Sequence, residues 1–195
     1  MSEELLVRHG APTLAGMKTG SLFSCACGDA AALRKELRRL NKMLAPRGLC
    51  LLLLRQTEGR ALLYLYRPAR LRRDLADGGA QALLRQSGYG CESCGRCIAQ
   101  LIRRLQAGGE FPHEVGLFLS YPPEDVQGFI QNRAGGFRCA GLWKVYGDAE
   151  RAQAIFQKYR QCTQRSIADS IARAFRWNGW RWRARGNTAQ LRGAA

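Results

Sequence analysis

A chain of 195 residues is long enough for one domain with its own core and short for two. No apolar run approaches the roughly 18 residues of a membrane span, and the opening MSEELLVRHG has acidic residues where a secretory signal has an apolar stretch. A membrane-spanning or secreted protein is therefore not expected; a cytoplasmic one is, with its eight cysteines mostly reduced.

The formal net charge of +16 favours nucleic acid or an anionic surface as partner. Six of the positive charges lie after the last acidic residue, Asp169, so the tail and the body are weighed separately. Residues 1–20 show little periodicity and read as an ordered lead-in, with Leu5, Leu6, Leu14 and Met17 available to pack. Thr19 to Cys27 reads as a first short strand. Asp29 then offers an N-cap to a helix whose apolar stripe is Leu33, Leu37, Leu40 and Leu44, ended by Pro46 and Gly48. Leu49 to Arg55 and Ala61 to Tyr66 are apolar runs joined by a short link containing Gly59, the spacing of an antiparallel hairpin. A helix follows Arg67-Pro68 with Leu71 and Leu75, and breaks near Gly78-Gly79 ahead of Leu83 and Leu84. A further helix from about Cys91 to Gln106 carries Cys94, Ile98, Leu101, Ile102 and Leu105 at helical spacing.

The next stretch organises the expectation. Val115 to Tyr121 is an apolar run bounded by turn residues and reads as a buried strand. Pro123, with Glu124 and Asp125 in the first turn, starts a helix to about Arg133. Phe137 to Tyr146 reads as a second strand, so residues 115–146 form a strand, crossover helix and parallel strand. Asp148 can cap a long final helix to about Arg173. The expected fold class is a mixed α/β (α+β) single domain, residues 1–169, with a mixed sheet of about five strands covered by helices. A basic Arg/Trp-rich extension, residues 170–195, follows.

Among residues that carry chemistry, Cys91, Cys94 and Cys97 form the densest cluster. Two CxxC steps in series suit zinc or an iron-sulfur cluster if a fourth ligand is found elsewhere; buried thiols are the simpler reading, and no cofactor is predicted. His9 and His113 are the histidines of the chain. If the two strands of the crossover lie side by side, His113 comes near Cys139, a base and a thiolate for a cysteine nucleophile. The same unit offers Tyr121, Lys144 and Tyr146, with Cys162, as ligand-binding candidates; Lys144 could pair with an anion. In the tail, Arg176, Trp177, Trp180, Arg181, Trp182 and Arg183 interleave cations with aromatic rings, a pattern for nonspecific nucleic-acid or anionic membrane contact.

The stretches HGAPTLAGMKTGSLFSC (9–25), APRGLCLLLLR (45–55), LLYLYRPARLRRDL (62–75), FPHEVGLFLSYPPEDVQGFI (111–130) and GLWKVYGDAERAQAIFQKYRQC (141–162) resemble an uncharacterised family of anaerobic bacteria catalogued as domain of unknown function 3793. The resemblance covers nearly the whole body. It implies a cytosolic protein of one domain and brings no activity, cofactor or catalytic residue with it. The tail lies outside the family pattern, and Cys91 and Cys94 are peculiar to this chain. The function expected is a non-enzymatic cytosolic binding or accessory protein whose site lies near His113, Tyr121, Cys139 and Lys144. A thiol-dependent protein and nucleic-acid binding through the tail are the alternatives.

Overall fold

A computed structural model describes residues 3–90 and 93–172 of the chain. The lead-in is a helix, α1 (Glu3–Leu14), with Pro12 in its last turn. Gly10 lets it lie close on the sheet, since a Cβ there would sit 2.5 Å from Leu65 Cδ2. Strand β1 (Gly20–Ala26) follows. The Asp29 carboxylate then accepts the amides of Ala31 (2.8 Å) and Ala32 (3.2 Å) and starts α2 (Ala30–Leu44), whose four leucines are buried. Asn41 on this helix clamps Leu51 of β2 (Cys50–Thr57), its amide donating to the Leu51 carbonyl and accepting the Leu51 N–H, both at 2.8 Å. A tight turn with Gly59 at φ 74° leads into β3 (Arg60–Tyr66).

These strands make an antiparallel sheet in the order β1-β3-β2. Alternation along β3 explains its burial on both sides. Ala61, Leu63 and Leu65 join Leu6, Phe23 and the α2 leucines in one core cluster. Tyr64 and Tyr66, with Leu62 against them, face the other, larger cluster. That second face is covered by α3 (Pro68–Leu75), α4 (Gly78–Gln86) and α5 (Cys94–Ala107), the last capped by Ser93.

The crossover expected over residues 115–146 is not formed. Val115–Phe118 is a single buried helical turn, α6, and Ser120 follows it with φ 62°. Its apolar run fills space beneath the sheet instead of adding a strand: Tyr64 Oη donates to the Phe118 carbonyl at 2.6 Å. Helix α7 (Pro123–Gln131) comes next, as expected. The segment read as one strand from Phe137 to Tyr146 is a small antiparallel hairpin, β4 (Cys139–Ala140) and β5 (Lys144–Val145), turning at Gly141-Leu142. Among the described residues the sheets therefore have three and two strands, all antiparallel, in place of one mixed sheet of about five. Helix α8 (Ala149–Ala172), capped by Asp148 on the Arg151 N–H at 3.0 Å, returns along α1. Among the described residues no helix is long and apolar enough to cross a membrane.

The buried Tyr64 hydroxyl joins the sheet to α6. Tyr64→Phe should lower stability by about 1–3 kcal/mol, because the Phe118 carbonyl would lose its donor away from water. Arg8→Ala, which breaks an exposed pair with Glu4, should change stability by only about 0–0.5 kcal/mol. Urea unfolding of the two variants checks the contrast; equal effects would mean the Tyr64 contact is not made.

Candidate functional site

The first turn of α7 carries Glu124 and Asp125, where the partial positive charge of a helix N-terminus favours carboxylates. Asp125 is turned inward and only 3 % exposed. Its Oδ2 accepts Trp143 Nε1 at 2.7 Å, and its Oδ1 accepts the backbone N–H groups of Tyr146 (2.7 Å) and Gly147 (2.9 Å). One carboxylate thus ties both the hairpin and the segment after it to α7. Close approach completes the attachment. A Cβ at Gly128 would lie 2.3 Å from the Tyr146 ring, and one at Gly141 would lie 2.2 Å from the Phe156 ring. The hairpin is held between α7 and α8.

On the α7 side this arrangement leaves a cleft of about 390 Å³, walled by Tyr121, Phe129, Leu142 and Trp143, with His113 and Lys144 as its basic groups. The aromatic walls are ordered by one another. Tyr121 stacks on Trp143 at 4.7 Å, and Trp143 meets Phe156 edge-on at 4.5 Å. Phe129 meets the His113 ring edge-on at 4.8 Å. Lys144 Nζ donates to the Ala134 carbonyl at 2.6 Å and lies 4.8 Å from the centre of the Phe137 ring. Among the described residues no carboxylate pairs with it. His113 Nε2 stands 3.4 Å from Glu110 Oε1 at the mouth.

The structure brings His113, Tyr121 and Lys144 together, but not with the other candidates. Paired residues of a hairpin share a face, and Cys139 pairs with Val145 while Ala140 pairs with Lys144. Cys139 therefore lies with the buried Val145 against the Trp143 and Phe156 cluster on the α8 side. Ala140 and Lys144 border the cleft. Tyr146 lies over Gly128, and its hydroxyl is buried with no hydrogen-bond partner among the described residues. Cys162 is buried on α8, where burial pushes its thiol up. Cys97 is buried in the larger core cluster, and Cys94 is half-buried beside it with its thiol also pushed up by burial. Cys91 lies outside the described residues, as do Arg176, Trp177, Trp180, Arg181, Trp182 and Arg183. Among the described residues no group of three or more His, Cys, Asp or Glu side chains is placed to hold a metal.

Sequence reasoning missed Phe129 and Trp143 as walls and Asp125 as the anchor. The signal for Asp125 is a carboxylate in a helix first turn, which the sequence reading used only as negative charge favourable to the helix dipole. A second cavity of about 370 Å³ lies on the far side of Asp125. There Asp74 Oδ2 accepts Thr19 Oγ1 at 2.5 Å and Ser120 Oγ at 3.5 Å, and the Thr19 N–H donates to Ser120 Oγ at 2.8 Å.

Lys18 Nζ lies 5.4 Å from the centre of the Tyr121 ring. Burial pushes the Lys18 ammonium down to about 8 from an ordinary 10.5. Between those values the unfolded chain binds more protons than the folded one, so the contribution of Lys18 to stability should rise with pH across that window. Lys18→Met should remove this rise. Denaturant unfolding of both proteins at the two ends of the window measures it; a wild-type gain matched fully by the variant would contradict the assignment.

Comparison with curated proteins finds no match, and comparison with solved structures finds none. A family model matches residues 6–175, which takes in every element that builds the cleft. The chain belongs to that family, described as "Protein of unknown function (DUF3793)".

Proposed function

We infer that the chain is a binding protein whose cleft between α6, α7 and the hairpin takes a small ligand with a flat apolar body and an anionic group. The observation that carries this reading is Lys144: a half-buried ammonium with no acidic partner among the described residues, at the edge of a cavity walled by aromatic rings. Pockets of this size, mostly apolar with a few convergent polar groups, are the usual form of small-molecule sites. A cation held by a carbonyl dipole and an aromatic face keeps its charge available to an incoming carboxylate or sulfonate. His113 faces the same space and adds a second donor. Tyr121, Phe129 and Trp143 supply flat surfaces for a ring or a planar chain. The placement of Cys139 on the opposite face of the hairpin favours binding over thiol chemistry at this cleft.

The aromatic sulfonate 1-anilinonaphthalene-8-sulfonate is a suitable probe. It should bind saturably at one site per chain. Lys144→Met should weaken binding about tenfold, the value of one charge-assisted hydrogen bond. Phe129→Ala should weaken it by a similar amount through lost apolar contact. Isothermal titration reads both. Saturable binding that neither substitution changes would place the ligand elsewhere and overturn the reading.

A further inference from the structure

Phe111, Ile130, Phe137 and Leu142, between 38 and 43 % exposed, are the large apolar side chains left open to solvent among the described residues. Three of the four are tied to the same cleft by their contacts. Leu142 lines it directly. Phe137 covers Lys144, the Phe111 ring lies 6.5 Å from that of His113, and Ile130 follows Phe129 on α7. Among the described residues, large apolar side chains left open beside one cleft mark an interaction surface there.

The charge of this end is one-sided. Between Asp125 and Asp148 the sequence holds no acidic residue and three basic ones, Arg133, Arg138 and Lys144. Arg133 and Arg138 are exposed on the same loop as Phe137. The acidic residue of the rim, Glu110, faces His113.

The geometry points to an anionic lipid surface as the partner of this rim. Four apolar side chains are presented from separate places: the loop before α6, the end of α7, the loop after it, and the hairpin tip. Each can enter a fluid interface independently while the flanking arginines meet anionic headgroups. A single partner helix would instead need one continuous apolar groove. A second copy of this chain would set like charges against like. The inference concerns the exposed rim and does not depend on what fills the cleft.

Flotation of the full chain with vesicles of phosphatidylcholine containing phosphatidylglycerol, against phosphatidylcholine alone, tests it. The wild type should float with the anionic vesicles and be released by salt. Arg133→Gln with Arg138→Gln should weaken binding about 25-fold, at about fivefold for each cation near the surface. Ile130→Ser with Phe137→Ser should weaken it about tenfold. Unchanged melting curves would show that the variants fold. Phe111→Ser, on a separate loop, supplies an independent variant. Anionic-vesicle binding unchanged in both double variants would assign it to the tail or to overall charge and overturn the proposal. So would an absence of vesicle binding, self-association in sedimentation that the apolar substitutions abolish, or saturable capture of an acidic peptide in place of vesicles.

Discussion

A single buried carboxylate fixes where the second half of this protein lies. Taking a carboxylate out of water costs several kcal/mol unless donors replace its hydration. Asp125 meets that cost with one indole N–H and two backbone N–H groups, reinforced by its place in the first turn of α7. The hairpin β4–β5 is far too short to be stable by itself. Its position follows from this carboxylate, from the glycines that let it approach both helices, and from the Trp143, Val145 and Phe156 cluster beneath it. The two cavities are the spaces left on either side of that attachment, and Asp125 borders both.

Electrostatics and packing then divide the molecule. The three-stranded sheet is apolar on both faces and covered by helices, so its surface offers little. The hairpin end differs. There the aromatic walls, a lysine with no acidic partner among the described residues, and open apolar side chains come together. Among the described residues this end joins an aromatic-walled cleft to open apolar side chains, and the binding role proposed above rests on that combination.

The first sixty-odd residues after Gly20 were legible because each element carries a strong local signal. The α2 stripe has Asp29 ahead of it, and the β2–β3 hairpin has Gly59 between two alternating runs. Helix α1 was hidden by Gly10 and Pro12, which lower its propensity while serving its close packing. Val115 to Tyr121 was misread because a short apolar run has no period that separates a buried strand from a buried turn of helix. Gly141 marked a turn inside what looked like one strand, and was not given that weight. His113, Tyr121 and Lys144 were grouped on the strength of a parallel crossover that is not formed. They border one cleft because Val115–Phe118 is a compact helical turn, which keeps His113 and Tyr121 beside α7 and the hairpin. Which face Cys139 occupies depends on the element type, and there the strand reading failed.

Amide hydrogen exchange at Tyr146 and Gly147 tests the central claim most directly, since both N–H groups sit outside regular structure and are held only by Asp125. In the wild type they should exchange slowly, and in Asp125→Ala, which removes the acceptor, they should become fast while the amides of β3 keep their protection. Rapid exchange of both in the wild type, or protection that survives the substitution, would contradict the account.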